Sequence, residues 1–158
     1  MAKVLLGFMG SGKTTIARQL DSDFVDMDAL LEGRLGLPIA RFFEEKGEAA
    51  FRQLEEEVLA DLLKTDKVIS TGGGIVISPR NRALLKQNSE NIYLKADFET
   101  LYQRISADKD NQRPLFLKNS KEELLAIFNE RQDWYEEVAS QIVDVSSLNP
   151  EEIIEELR

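Results

Sequence analysis

The stretch Gly7-Phe8-Met9-Gly10-Ser11-Gly12-Lys13-Thr14 fits the pattern G-x-x-x-x-G-K-S/T at every fixed position, and it follows the apolar run Val4-Leu5-Leu6. A strand, a glycine turn and a helix in that order leave few folds open. Glycines let the backbone turn so that successive N–H groups converge on one concavity, and a helix opening at Lys13 adds the positive end of its dipole. A loop of this kind grips the phosphates of a nucleotide. Lys13 can reach the outer phosphates and Thr14 can ligate Mg²⁺.

Four further apolar runs read as strands: Phe24 to Asp26, Val68 to Ser70, Ile92 to Leu94 and Ile142 to Val145. Helical periodicity fills the intervals, with helices predicted from Lys13 to about Leu20, Asp28 to Leu35, Ile39 to Lys46 and Glu48 to Leu63. In the last of these, Phe51, Leu54, Val58 and Leu62 are spaced to form one apolar stripe. Ser78-Pro79, Asp97, Ser120 with Glu123, and Asn149-Pro150 are helix-start signatures. Alternating strands and helices predict an α/β fold, with a parallel sheet covered on both faces and ligands beyond the strands' carboxyl ends.

At 158 residues the chain suits one domain, expected to span 1–158. It has no cysteine and no histidine, which excludes disulfides, thiol or imidazole catalysis and the usual zinc sites. Any metal must sit among oxygen ligands. A net charge of −9 leaves no basic face for a nucleic-acid backbone. No apolar run reaches the ~20 residues of a membrane span, and Met1-Ala2-Lys3 leads directly into the first strand. The protein is expected to be soluble and cytoplasmic, without nucleic-acid or membrane partners. An acidic chain that binds a polyphosphate must concentrate its few cations, which singles out Lys13, Arg52, Arg113 and Arg131.

Asp26 and Asp28 stand two apart at the end of the second strand, where an extended chain would send both carboxylates to one side. One could hold a metal-shell water and the other accept a hydroxyl proton. A solvated strand end, with Asp28 capping the next helix, is the alternative. Gly72-Gly73-Gly74 closes the third strand, either for close approach to a ligand or for a tight turn. Ser70 occupies a strand end where an acidic metal-shell residue often stands. Arg52 and Glu55 are three apart on one helix, so Glu55 could orient the guanidinium, or the two could form an exposed ion pair. Arg131 carries the same ambiguity. Trp134 and Tyr135 read as core packing. The polar stretch from Ser106 to Ser120 has no clear period and reads as a solvent loop or a lid, with Arg113 a solvated loop cation or part of that lid.

Taken in order, the phosphate loop, Asp26-Met27-Asp28, Gly47-Glu48-Ala49-Ala50-Phe51-Arg52-Gln53-Leu54-Glu55, Gly72-Gly73-Gly74, Arg113-Pro114-Leu115 and Arg131 with Tyr135 resemble shikimate kinase over nearly the whole chain. The resemblance implies a three-layer α/β/α fold of the P-loop, nucleoside-monophosphate-kinase-like type, with a five-stranded parallel sheet. It implies a lid around 107–119 and a substrate-binding helical region around 28–60. The implied reaction moves the γ-phosphoryl of ATP to the 3-hydroxyl of shikimate, with Mg²⁺ as cofactor and a monomeric enzyme. By that likeness Gly10, Ser11, Gly12, Lys13, Thr14 and Thr15 hold the nucleotide, while Thr14, Asp26 and Ser70 serve the metal. Asp28 is the candidate base, and Arg52 and Arg131 clamp the carboxylate. Glu55 orients Arg52, Gly72 to Gly74 support the ring hydroxyls, and Arg113 closes on the transferring phosphoryl.

Two departures stand out. The interval from Lys13 to Asp26 is about four residues shorter than the family's, close to one turn of ~3.6 residues, which preserves the facing of what remains. Ser146-Ser147-Leu148 offers no arginine near the adenine, and the lid lacks a second arginine at its start. A gluconate kinase would share the loop and fold without needing the two arginines beside the Asp-x-Asp pair. A switch GTPase would show Asn-Lys-x-Asp, which does not occur.

Overall fold

The computed structural model describes residues 1–108 and 114–157. Five strands, β1 (Lys3–Leu6), β2 (Val25–Asp26), β3 (Val68–Ser70), β4 (Glu90–Lys95) and β5 (Gln141–Asp144), form one sheet in the order β2-β3-β1-β4-β5. All four ladders are parallel, with Leu5 level with Ser70 on one side and Ile92 on the other. Helices α1 (Lys13–Leu20), α2 (Met27–Leu35), α3 (Ile39–Lys46), α4 (Glu48–Leu62), α5 (Pro79–Lys86), α6 (Phe98–Ala107), α7 (Pro114–Lys118), α8 (Lys121–Val138) and α9 (Pro150–Leu157) connect the strands and cover both faces of the sheet.

The central strands β1, β3 and β4 are mostly buried because both of their faces are covered, whereas β5 at the sheet edge buries only Val143. Val4, Leu5, Leu6, Ile69, Tyr93 and Leu94 are all buried. Phe8 meets Phe128 edge-on at 5.4 Å, which packs the loop after β1 against α8. At the opposite, amino end of the sheet, Asn91 is buried and its Nδ2 reaches the carbonyls of Leu85, Asn88 and Val138 at 2.6, 3.2 and 2.9 Å.

The helix-start signatures correspond to real caps. Ser78 accepts from the amide of Asn81 with Pro79 at the first helical position, and Asp97 accepts from Thr100. Ser120 and Glu123 form a reciprocal capping box, as do Asn149 and Glu152. Each cap satisfies amides that the first helical turn leaves without partners.

Three expectations change. The second strand begins at Val25 rather than Phe24, because Phe24 closes a turn on the carbonyl of Asp21 at 3.1 Å. On α4 the buried side chains are Phe51, Glu55, Val58 and Leu59, while Leu54 and Leu62 are only half-buried. A carboxylate therefore lies inside the stripe that counting apolar residues assigns to hydrocarbon. The stretch from Ser106 to Ser120 is not featureless either: α6 runs on to Ala107, and α7 forms where Pro114 can start a helix, with Phe116 packing on Tyr102 at 5.7 Å.

Candidate active site

The loop after β1 turns on Gly10 and Gly12, whose φ angles of +84° and +90° lie in the left-handed region that favours glycine. Gly12 caps α1 in that conformation, so the helix axis points its amino end into the loop. Nζ of Lys13 folds over the loop and donates to the carbonyls of Gly7 at 2.6 Å and Phe8 at 3.2 Å. Ser11 is buried, whereas Thr15 is exposed at the start of α1. Arg104, which the sequence reading passed over, reaches from α6 to the carbonyls of Gly10 at 3.5 Å and Val145 at 3.2 Å. It joins the phosphate loop to the end of β5, and its place as an arginine in the last turn of α6 is the signal that was available.

Beside the loop, the hydroxyls of Thr14 and Ser70 lie 3.2 Å apart, and Asp26 is level with Ser70 across the β2–β3 ladder. Thr14, in the first turn of α1, thus faces the end of β3. Among the described residues no group of three or more carboxylates gathers to hold a metal ion. Mg²⁺ does not require one, because it commonly binds through one or two protein oxygens together with phosphate and water. Thr14, Ser70 and Asp26 supply hard oxygens of that kind.

Asp26 and Asp28 do not share the face of a strand. The strand ends at Asp26, whose carboxylate caps α2 by accepting from the amide of Ala29 at 3.2 Å, and Asp28 falls in the first helical turn. Asp26, not Asp28, is the cap. Asp28 is instead turned toward the glycine loop, and a β-carbon on Gly72 would lie 2.7 Å from its Oδ1. The carboxyl opens to solvent on one side and meets dense protein on the other. Desolvation raises its pKa, with Lys13 the main opposing charge and Asp26 and Glu32 adding to the rise.

The two arginines converge on the same loop. Nη1 of Arg52 donates to Glu55 at 3.0 Å and to the carbonyl of Gly74 at 3.2 Å, and its Nε faces Glu48 at 3.3 Å. Arg52 is 17% exposed at its side chain and Glu55 2%, so the exposed-pair reading does not hold. Burial raises the pKa of Glu55 and the Arg52 guanidinium opposes that rise. A β-carbon on Gly73 would lie 3.6 Å from both Nη1 of Arg131 and the amide of Met9 in the phosphate loop. Arg131 lies 5.9 Å from the ring centre of Phe8, and Arg52 lies 5.3 Å from that of Phe51.

Desolvation lowers the pKa of Arg131, and the positive charge of Arg52 adds to the effect. Two guanidinium groups that repel one another beside one loop suit an anion, and their planar forks suit a carboxylate. Lys13, Asp28, Gly72 to Gly74, Arg52 and Arg131 are therefore brought to one end of the sheet. Arg113 lies outside the described residues.

A sequence model described as shikimate kinase matches residues 9–158. The shikimate kinase of Streptococcus gordonii is 52% identical over 159 residues, spanning 100% of this chain and 99% of the relative. That of Enterococcus faecalis is 46% identical over 98% of this chain and 94% of its own length. Among solved structures, a shikimate kinase from Acinetobacter baumannii in complex with shikimate superposes with a TM-score of 0.89 at 33% identity, covering 99% of this chain and 89% of that one. A gluconokinase from Sinorhizobium meliloti superposes with a TM-score of 0.62 at 18% identity over 98% of this chain and 87% of its own, a likeness of fold alone.

Proposed function

The chain belongs to the shikimate kinase family, and from that premise we propose that it transfers the γ-phosphoryl group of ATP to the 3-hydroxyl of shikimate through the residues described above. The observation that carries the reading is the pairing of Arg52 and Arg131 on one glycine loop, opposite Asp28 and beside the phosphate loop. Their forks hold the shikimate carboxylate, which neutralises their mutual repulsion and orients the ring. Glu55 holds Arg52 at its angle.

The phosphate loop and Lys13 cradle the β- and γ-phosphates. Asp28 hydrogen-bonds the attacking hydroxyl. As the hydroxyl oxygen forms its bond to the γ-phosphorus and the bond to the ADP oxygen breaks, the proton passes to the Asp28 carboxylate. A carboxyl held above its ordinary pKa is a better proton acceptor than a solvated one. Thr14, with Ser70 and Asp26 beside it, would hold Mg²⁺, which supplies charge neutralisation at the phosphate oxygens. Arg113 is assigned to the transferring phosphoryl by the family resemblance alone. Arg104 is the guanidinium nearest the loop on the described part of α6, and we assign it to the nucleotide side of the site. We read the protein as a cytoplasmic monomer; no helix among the described residues is long and apolar enough to cross a membrane.

The test is ADP release with ATP, Mg²⁺ and a panel of shikimate, quinate, gluconate and nucleosides. Selective turnover of shikimate is expected. Turnover of gluconate at a comparable kcat/KM would overturn the assignment of the clamp and favour the broader small-molecule kinase reading.

A further inference from the structure

Tyr135 is wholly buried and stacks on Tyr93 with ring centres 5.0 Å apart, as a core residue would. Its hydroxyl nonetheless donates to the carbonyl of Gly73, and a β-carbon on that glycine would lie 3.8 Å from the hydroxyl and 3.6 Å from Nη1 of Arg131, which sets phenol and guanidinium side by side at one point of the loop. A phenol has one proton to give, and a guanidinium can only give. The Tyr135 proton goes to the Gly73 oxygen, so the phenol oxygen is left to face the Arg131 guanidinium with its lone pairs. Arg52 meets the next carbonyl of that loop, Gly74, directly. The two guanidinium groups thus stand at consecutive residues of one loop, Arg52 on the Gly74 carbonyl and Arg131 beside Gly73, whose carbonyl Tyr135 holds.

We propose that Tyr135 is a positioning residue for substrate binding, its hydroxyl fixing Arg131 relative to the Gly72–Gly74 loop and so setting the spacing of the two forks that receive the substrate carboxylate. The inference rests on the reading of Arg131 as part of that clamp. An arginine on a long rotatable stem loses conformational freedom when it grips a ligand, and a buried partner that holds it in place beforehand reduces that loss. Burial pushes the Tyr135 hydroxyl well above the ordinary tyrosine range, so it remains a donor at any working pH. The buried ring, locked against Tyr93, gives the hydroxyl little room to wander.

Tyr135→Phe keeps the ring and its stacking and removes only the hydroxyl. The shikimate KM is expected to rise roughly tenfold while the ATP KM stays unchanged. A role confined to packing would lower the melting temperature and leave the shikimate KM in place, and that result overturns the proposal. In an Arg131→Met background, Tyr135→Phe should raise the shikimate KM no further; an independent, multiplicative rise overturns it too. An Arg131→Met variant with wild-type shikimate KM would instead overturn the clamp reading itself.

Should Tyr135→Phe fail to fold, the wild-type chain labelled with 3-fluorotyrosine serves. It has three tyrosines, so the ¹⁹F resonance of residue 135 is identified as the one retained in both Tyr93→Phe and Tyr102→Phe. That resonance should move when shikimate is added, and a stationary one overturns the proposal.

Discussion

A β-carbon on Gly74 would stand 2.6 Å from Nη2 and 2.8 Å from Nη1 of Arg52, closer than a β-carbon approaches any neighbour. The glycine is there to admit a guanidinium. Gly74 is not among the glycines with positive φ, so alanine can adopt its backbone conformation. The clash falls on the far end of a flexible arginine rather than on backbone, so it is relieved by moving the guanidinium.

Gly74→Ala should therefore fold with little change in melting temperature and lose substrate recognition. Moving a positioning group by about 1 Å can cost on the order of 10² in efficiency. The expected result is a rise in shikimate KM of at least about tenfold, with the ATP KM unchanged. Steady-state kinetics with each substrate varied in turn, beside a thermal melt, check both halves. A large loss of stability with normal shikimate KM would show that the glycine serves the turn rather than Arg52.

Asp28→Asn should gain stability as it loses turnover. The folded state raises the Asp28 pKa above the ordinary 3.8. A carboxyl raised in this way binds more protons folded than unfolded. Its favourable contribution is fully present below 3.8 and is lost as pH rises through the folded pKa. At neutral pH the ionised carboxylate is thus a strain the fold carries for function, and removing its charge relieves it. The variant should melt above the wild type at neutral pH and above, with the difference shrinking as the pH falls toward 3.8. Its kcat should fall by roughly 10² to 10⁴, the usual contribution of a general base. A pH series of melts and the ADP-release assay test the two effects separately.

Much of this frame was open to reading from the chain, and the misses have physical causes. The phosphate loop, the five strands and the capped helix starts all depend on neighbours in sequence, so spacing and turn chemistry reveal them. Asp26 and Asp28 were read as strand neighbours because a period of two presumes that the strand continues. The capping bond from Asp26 to the Ala29 amide ends it first. Glu55 was invisible as a buried residue because its burial depends on Arg52, and the burial of Arg52 depends on a glycine 22 positions away. Tyr135 looked like hydrocarbon for the same reason: its hydroxyl bond leads to Gly73, 62 positions distant. Contacts of that range leave no local pattern.

Lys13→Met should separate folding from chemistry in the phosphate loop. The loop's shape is set by Gly10 and Gly12, not by the ammonium group that lies over the Gly7 and Phe8 carbonyls. The melting temperature should change little, while kcat falls on the order of 10² to 10³, as for loss of one preorganised charge at the reacting centre. Circular dichroism melts and the coupled ADP assay decide it. Unaltered turnover would remove Lys13 from the transfer step.

Asn91→Ala is expected to show the reverse, a loss of stability with the chemistry intact. Asn91 is 1% exposed and lies at the start of β4, at the end of the sheet away from the phosphate loop. Its Nδ2 serves the carbonyls of Leu85, Asn88 and Val138, and its Oδ1 accepts from Asn88 at 2.8 Å. Alanine removes the hub and strands polar groups that water cannot reach. Each buried group left unsatisfied costs about 1–3 kcal/mol. Relaxation around the gap returns part of that, so a net loss of about 2–4 kcal/mol is expected. For a chain of this size that is a fall of roughly 4–16 °C in melting temperature. Because no atom of this network touches the site, kcat and both KM values should match the wild type below the melting transition. A raised shikimate KM would mean that the amino end of the sheet and the clamp are coupled through β4 and α8, the two elements this asparagine joins.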